Sequence, residues 1–252
     1  MTRMTRRAFL RDLGQGTVAI AMVGFGLAAC GTGGEDETET TPLPSPGTGS
    51  GTASAPGGVA WSRVDLGNVS AYLLVRRGEA AVVDTGNPGN FGDIAATLEA
   101  ISVDWSDVSH VILTHLHGDH IGSLGDVMAA APDAVGYAGA PDIPGIPSPR
   151  PLTAVGDGDR VFGLQIIATP GHTPGSISVL DAASGLLLAG DALNGQDGGV
   201  VGANPRYSAD MTEADASVRK LATFQFDTVV FGHGEPVVGG AGARVAALAD
   251  SL

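Results

Sequence analysis

The chain reads Val111-Ile112-Leu113-Thr114-His115-Leu116-His117-Gly118-Asp119-His120 at its most informative point. The apolar start predicts a buried strand, and the pattern from Ile121 onward predicts a helix. The first two histidines are two residues apart and would share one side of an extended chain. The glycine would let the backbone turn, so that Asp119 and His120 face a second point. Because imidazole and carboxylate groups together suit zinc, the spacing predicts two pairs of metal ligands.

Three later segments repeat the pattern of a short apolar strand followed by a ligand-type residue. His172 lies in a loop rich in proline and glycine, Asp191 follows Leu187-Leu188-Ala189-Gly190, and His233 follows Val229-Val230-Phe231-Gly232. Polar groups at strand ends are where sites on layered sheets form. We therefore expect these residues to complete one metal centre. His110 begins a strand and has no turn motif, so we interpret it as structural.

The rest of the chain alternates between strand and helix patterns. Apolar, β-rich runs predict strands at Val69–Val75, Ala80–Val83, His110–Leu113, Val161–Ala168, Ile177–Leu180, Leu186–Ala189 and Thr228–Phe231. Helical patterns lie at Phe91–Ile101, Ile121–Ala130, Thr212–Phe224 and Ala241–Leu252, with Thr212 as the expected N-cap of the third. Strands interspersed with helices indicate a layered α/β or α+β domain.

Composition excludes several classes of partner. The 252 residues carry a formal net charge of −14, which argues against binding nucleic acid or an anionic membrane surface by electrostatics. Bound metal ions would reverse the sign locally, so a small-molecule substrate remains the expected partner. Cys30 is the single cysteine, so no disulfide forms within the chain and no thiolate serves as a nucleophile in the globular part.

The N-terminal segment is typical of an export signal. Residues 1–30 contain Arg6-Arg7, which resembles a twin-arginine motif, then an apolar run, then Leu27-Ala28-Ala29-Cys30, which resembles a bacterial lipobox. Lipidation of Cys30 would anchor the protein to the outer face of the cytoplasmic membrane. The alternative is an ordinary signal peptide and a periplasmic or secreted protein. Residues 31–58 predict a disordered linker, and residues 59–252 predict the folded domain.

The motifs together resemble the metallo-β-lactamase superfamily over Val59–Leu252. The resemblance is carried by Val83-Asp84-Thr85-Gly86, the cluster at 115–120, Gly171-His172-Thr173-Pro174-Gly175-Ser176, Gly190-Asp191 and Gly232-His233-Gly234. It implies a four-layer αββα sandwich with the site along one edge of two packed sheets. It also implies two divalent metal ions per chain, zinc by ligand type, with manganese or iron also compatible.

The resemblance assigns a role to each ligand-type residue. The first metal would be held by His115, His117 and His172, the second by Asp119, His120 and His233, with Asp191 bridging both. Asp84 would either orient the site from behind the ligands or act as a turn-capping aspartate. Asp119 would also assist proton transfer as a catalytic residue. Tyr207 is a candidate to bind a substrate oxygen, as in the lactonase branch; the alternative is a packed loop tyrosine.

Asp191 narrows the expected chemistry. True zinc β-lactamases generally have cysteine or serine at the corresponding place, and an aspartate resembles the glyoxalase II, lactonase and phosphodiesterase branches. The chain ends at Leu252, soon after His233, so we expect the glutathione-binding extension of glyoxalase II to be missing. The resemblance thus implies a hydrolase in which a metal-bridging hydroxide attacks an ester, lactone, thioester or related bond. The stretches Gly195–Gly202 and Pro141–Pro151 are expected to border its pocket.

Three alternatives stay open at the level of sequence. A mononuclear iron enzyme similar to the persulfide dioxygenases would use His115, His172 and Asp191. A zinc β-lactamase is the second alternative, and a non-catalytic lipoprotein that binds a ligand at the cell surface is the third. The complete set of ligand-type residues favours an enzyme over the last of these.

Overall fold

A computed structural model describes residues 50–51 and 57–252. The predicted twin-arginine signal and the lipobox cysteine Cys30 lie outside the described residues, as does most of the predicted linker. Within that linker, Ser50–Gly51 forms a short strand that pairs antiparallel with Ala60–Asp65. In the described part of the chain, none of the helices is long and apolar enough to cross a membrane.

Strands and helices alternate along the described chain. The strands are β1 (Ser50–Gly51), β2 (Ala60–Asp65), β3 (Ser70–Arg76), β4 (Glu79–Val83), β5 (Val108–Leu113), β6 (Val135–Gly139), β7 (Thr153–Val155), β8 (Arg160–Val161), β9 (Leu164–Ala168), β10 (Ile177–Asp181), β11 (Leu186–Leu188), β12 (Leu193–Gln196), β13 (Gly199–Gly202), β14 (Thr228–Val230) and β15 (Val237–Val238). The α-helices are α1 (Phe91–Ala100), α2 (Gly118–Ile121), α3 (Leu124–Ala130), α4 (Met211–Leu221) and α5 (Ala241–Ser251).

The strands form two large sheets and one hairpin. The first sheet has the order β1-β2-β3-β4-β5-β6-β7, the second has the order β15-β14-β11-β10-β9-β8, and β12 pairs with β13. Two parallel pairs matter for the site, β4 with β5 and β11 with β14. Because parallel strands end at the same edge, the loops that follow them lie side by side.

The two sheets lie between two layers of helices. Successive side chains along a strand point to opposite faces, one toward the helices and one toward the other sheet. In β3, Leu73 packs with residues of α1 and α3, whereas Leu74 packs against the second sheet. In β9, Ile166 faces the first sheet and Ile167 packs with α4 and α5. Each of these side chains is fully buried, and burial of one such side chain contributes about 2 kcal/mol. The predicted αββα sandwich is confirmed.

Three local predictions were wrong. The run Val161–Ala168 is two strands, because Phe162 and Gly163 form a turn with positive φ angles of 54° and 75°. The N-cap of helix α4 is Asp210 and not Thr212. The Asp210 carboxylate accepts hydrogen bonds from the backbone N–H groups of Thr212 and Glu213. The helix predicted at Ile121–Ala130 begins only at Leu124, because Gly122 and Ser123 separate it from the short helix α2, whose first residue is Gly118.

Candidate metal centre

The residues predicted as ligands all follow the ends of strands at one edge of the sandwich. The ends of β5, β9, β11 and β14 lead respectively into the cluster at His115–His120, His172, Asp191 and His233. Asp84 follows β4 in the same way. The structure therefore brings together side chains that are far apart in sequence. The parallel pairs β4–β5 and β11–β14 align four of these strand ends, and β9, which pairs antiparallel, leads into His172.

Three histidines form a first group. His117 Nδ1 lies 3.1 Å from His115 Nε2 and 2.9 Å from His172 Nε2. His115 and His172 are buried and His117 is partly exposed. One ring nitrogen from each residue falls within 4.8 Å of the others, a separation that allows all three to hold one metal ion.

Asp119, His120 and His233 form a second group with the same spacing. Their ligand atoms also lie within 4.8 Å of one another, and His233 Nε2 is 3.4 Å from Asp119 Oδ2. His120 is fully buried, whereas the side chains of Asp119 and His233 are 29% and 32% exposed. This group therefore opens toward solvent on one side.

Asp191 lies between the two groups. Its Oδ2 atom is 3.4 Å from His172 Nε2 and 3.2 Å from His233 Nε2, while its Oδ1 atom is 3.4 Å from His120 Nε2. The carboxylate thus contacts a histidine of each group. This is the position that a bridging ligand needs.

Two buried polar atoms of the site have no hydrogen-bond partner among the described residues. They are His120 Nε2 and Asp191 Oδ1, which face each other without a hydrogen bond. A buried polar atom left in this way costs about 1–3 kcal/mol. Imidazole nitrogens and carboxylate oxygens are the donor set of zinc and of non-haem iron. The residues present therefore fit metal ions.

The pKa values differ between the two groups. Burial, reinforced by the neighbouring imidazoles, holds the pKa of His115 well below its usual value, and burial lowers the pKa of His172 to about 4. These rings are neutral, as metal ligation requires. Hydrogen bonds to Asp119 and Asp191 raise the pKa of His233 to about 11, and the hydrogen bond to His233 lowers the pKa of Asp119 to about 2. The carboxylates of Asp119 and Asp191 therefore stabilise a positive charge at the second group.

Asp84 contacts a residue next to the proposed ligands and one of the ligand histidines. One carboxylate oxygen accepts from the backbone N–H of Thr114 at 2.7 Å, and the other accepts from the Thr114 hydroxyl at 2.7 Å and contacts His120 Nδ1 at 2.8 Å. The residue is buried and has a φ of 59°, a conformation that aspartate tolerates better than most residues. Both sequence interpretations of Asp84 describe part of this arrangement, since it caps the turn and also fixes the ring of His120.

Asp142 is a structural residue of the site that sequence reasoning missed. It is fully buried, and its carboxylate accepts from Leu116 N–H at 3.0 Å, Thr173 Oγ1 at 2.6 Å and Gly175 N–H at 2.7 Å. These partners belong to the loops that carry His117 and His172. Asp142 therefore ties two ligand-bearing loops together. No sequence signal marks it, because its partners come from distant parts of the chain.

A cavity of about 720 Å³ opens over the ligands. Its lining consists of Asn68, Asn87, His117, Gly118, Asp119, His172, Asp191, Asn194, Asn204, Tyr207 and His233. The expectation that Gly195–Gly202 and Pro141–Pro151 border the pocket was wrong, because no residue of either stretch belongs to this lining. Tyr207 is 57% exposed, so it is not a packed loop side chain. His110 lies apart from the cavity and stacks on Tyr137 with 5.6 Å between ring centroids.

Comparison with known families shows which family has this arrangement of residues. The sequence pattern of the metallo-beta-lactamase superfamily matches residues 64–233, which include all the ligand-type residues described above. The chain belongs to the metallo-beta-lactamase superfamily, whose members are metal-dependent hydrolases.

Three curated relatives illustrate the range within that family. YobT of Bacillus subtilis, a protein without an assigned activity, is 30% identical over 66% of this chain and 83% of its own length. Thioesterase pkgB of Emericella nidulans is 28% identical over 69% of this chain, and a hydroxyacylglutathione hydrolase of Ectopseudomonas mendocina is 40% identical over 45% of it. The matched regions span 48% and 42% of these two enzymes.

Solved structures show the same fold. TTHA1623, described in a di-iron-bound form, superposes with a TM-score of 0.59 and 26% identity, covering 70% of this chain and 93% of that one. The metallo-beta-lactamase SMB-1 superposes with a TM-score of 0.60 and 20% identity, covering 77% and 91%. The second likeness concerns the fold alone.

Proposed function

We propose that this protein is a dinuclear metal-dependent hydrolase that acts on ester, lactone or thioester bonds of small molecules. One observation carries the proposal: two groups of potential ligand atoms lie on either side of Asp191, and buried atoms of His120 and Asp191 have no hydrogen-bond partner among the residues that the structure describes. The names of two relatives, a thioesterase and a hydroxyacylglutathione hydrolase, support bonds of this type.

The first ion would be held by His115, His117 and His172 and the second by Asp119, His120 and His233, with Asp191 shared between them. Zinc is favoured by the ligand types, and iron is supported by the di-iron form of TTHA1623. When bound, such ions supply a Lewis acid for the substrate oxygen and lower the pKa of water.

The chain's own residues then have separable tasks. Asp84 and Asp142 hold the ligand side chains and their loops in place. The Asp119 carboxylate is partly exposed to the cavity, where it can accept a proton from the attacking water. Tyr207 lines the same cavity and would donate a hydrogen bond to a substrate oxygen. The reaction adds water across the bond between the acyl carbon and its leaving atom, giving an acid and an alcohol or thiol.

The proposal is tested with the full chain by measuring metal content and turnover together. The substrates are lactones, thioesters, phosphodiesters and a chromogenic cephalosporin. We expect about two metal ions per chain, hydrolysis of esters or thioesters, and loss of both properties in Asp191→Ala and His115→Ala. His110→Ala removes a histidine outside the site and serves as the matched control.

Three results would contradict this proposal. Full metal content and unchanged turnover in both ligand variants would exclude the dinuclear site. One iron ion per chain with consumption of oxygen would favour the dioxygenase alternative. Preferential turnover of the cephalosporin would favour a β-lactamase.

We also propose that the protein is exported and anchored through a lipid on Cys30. The support is the order of the N-terminal motifs, in which the single cysteine falls at the end of the lipobox. Fractionation of cells that express the full chain should place the protein in the membrane fraction, and Cys30→Ser should release it. Retention of Cys30→Ser in the membrane would contradict the lipid anchor.

A further inference from the structure

We propose that the cavity selects substrates in which the part lying beyond the metal centre, such as the thiol portion of a thioester, is uncharged and carries amide or hydroxyl groups. This inference rests on the proposed hydrolase function and adds a substrate class to it. It is drawn from the part of the cavity that lies beyond the metal ligands, where the remainder of a substrate would sit while its scissile bond is held at the centre.

The lining beyond the ligands is rich in asparagine. Four of its residues are asparagines, and among the described residues that line the cavity there is no lysine or arginine. They come from three separate parts of the chain: Asn68 and Asn87 follow the first strands, Asn194 lies on β12, and Asn204 lies in the loop before α4. The amide character is therefore spread around the cavity and is not confined to one loop.

Each of two asparagines has one end of its amide fixed and the other end free. Asn194 donates from Nδ2 to Gly202 O at 3.1 Å, which leaves its Oδ1 without a partner among the described residues. Asn204 accepts through Oδ1 from the backbone N–H of Arg206 at 3.0 Å, which leaves its Nδ2 without one. The cavity thus offers an acceptor and a donor in known orientations.

The other pair adds a second free donor and acceptor. Asn87 Nδ2 donates weakly to Asn68 Oδ1 at 3.4 Å, so one amide end of each residue is unused within the described chain. Groups that both donate and accept, such as a substrate amide or hydroxyl, satisfy such a lining completely. A carboxylate only accepts and would leave the acceptor oxygens unpaired.

Charge in the surroundings points the same way. Beyond the proposed metal ligands, the described residues of the lining include no charged side chain, and Arg206 of the adjoining loop lies with its guanidinium 5.4 Å from the ring centroid of Tyr207. Arg206 is outside the lining. A substrate carboxylate away from the metal ions would lose water without gaining a cation. Carboxylate recognition normally uses arginine or lysine, which this cavity does not present.

Three thioesters that share one acyl group test the inference. They are the acetyl thioesters of N-acetylcysteamine, of 3-mercaptopropionate and of thiocholine, which carry a neutral amide, a carboxylate and a quaternary ammonium group. Hydrolysis of each adds water across the C–S bond and gives acetate and a thiol, which is measured with a thiol reagent. We expect kcat/KM for the neutral thioester to exceed that for the carboxylate thioester by about tenfold.

A charge added inside the cavity should reverse this order. Asn194→Lys keeps a donor for Gly202 O and places a cation in the lining, so it should raise kcat/KM for the carboxylate thioester relative to the neutral one. Gln196→Lys adds the same charge to the same hairpin at an exposed position outside the lining, and it should leave the ratio unchanged. Asn204→Lys repeats the test from the opposite loop.

Binding separates this inference from the proposed function. Thioethers with the same three end groups are not hydrolysed, and their affinities for the metal-loaded protein are measured by calorimetry. Tightest binding of the neutral thioether supports the inference. Equal or tighter binding of the carboxylate thioether, or equal turnover of its thioester, overturns it while the hydrolase function stands. Failure to hydrolyse any ester, lactone or thioester would instead overturn the proposed function.

Discussion

Two regions of the site differ in construction. The floor consists of the buried ligands and the carboxylates that support them, namely His115, His120, His172, Asp191, Asp84 and Asp142. The mouth consists of the cavity residues that have polar side chains and are not proposed ligands, namely Asn68, Asn87, Asn194, Asn204 and Tyr207. Floor side chains make several hydrogen bonds or close contacts each, whereas mouth side chains leave polar atoms free.

The difference indicates a division of tasks. Most floor residues follow strand ends, whereas His120 lies in α2 and Asp142 lies in the loop after β6; all of them are buried, so their side chains have little freedom to move. The mouth is built on loops and on the β12–β13 hairpin, and Asn68, Asn204 and Tyr207 are exposed. Chemistry should therefore depend on the floor and substrate choice on the mouth. Changes in the floor should have the larger effects.

The largest effect is expected at Gly232, directly beneath the floor. A Cβ atom at this position would collide with Asp191 Oδ1 and with the ring of His120. Gly232→Ala should therefore displace His120 of the second group and Asp191, which lies between the groups, lowering kcat/KM by about a hundredfold or more and reducing metal content. Elemental analysis and steady-state kinetics on the full chain measure both.

Gly118→Ala is the matched control for that change. Gly118 lies within the histidine cluster and lines the mouth side of the cavity, but a Cβ atom there would meet nothing within 4 Å. Its effect on kcat/KM should stay within about twofold. If the two alanine variants lost activity equally, close packing of the floor would not explain the loss.

The next effect is expected at Asp84. Asp84→Asn keeps a residue that tolerates the positive φ, but its amide group replaces one of the two oxygens that bind Thr114 and His120. Because His120 then loses its support, affinity for metal should fall by about 10–100-fold. Competition with a chelator measures the affinity. Asp133→Asn, at an exposed loop position, should leave it unchanged.

A smaller effect is expected at Asp142, which supports loops and not a ligand ring. Asp142→Asn loses an acceptor for one of its three donors, so the free energy of unfolding should fall by about 1–3 kcal/mol. Metal affinity should fall less than in Asp84→Asn. Urea denaturation with and without chelator separates the two quantities. A larger loss of affinity than in Asp84→Asn would mean that Asp142 acts on the ligands directly.

More of the floor residues than of the mouth residues could be predicted from the sequence. His115, His172, Asp191 and His233 each follow an apolar strand, so local pattern was enough to identify them. Asp142 was missed because its partners, Leu116 and Gly175, are near it only after the sheets have packed. The asparagines were missed for the same reason, since a polar residue in a loop carries no signal of what it faces.

The same limit applies to the fold. The seven predicted runs and the helical patterns match strands and helices of the structure, and the four layers followed from the family resemblance. The strands β1, β2, β6, β7, β12, β13 and β15 were not predicted. The break between β8 and β9 at Phe162 and Gly163 was not predicted. Phe162 is apolar like its neighbours, so the sequence pattern there is the same as that of a continuous strand. The cap of α4 was placed two residues late, because Asp210 and Thr212 are both suitable N-cap residues and only backbone geometry distinguishes them.

The smallest effect is expected at Tyr207 in the mouth. Tyr207 is exposed in the cavity and is not one of the proposed metal ligands, so Tyr207→Phe should leave metal content and folding unchanged. One hydrogen bond to substrate is lost, which should lower kcat/KM for the neutral thioester by about threefold. Tyr137→Phe removes a hydroxyl from a tyrosine that stacks on His110 outside the cavity, and it should change nothing. A loss at Tyr207 as large as that at Gly232 would show that the mouth takes part in the chemistry, and the division between the two regions would then be wrong.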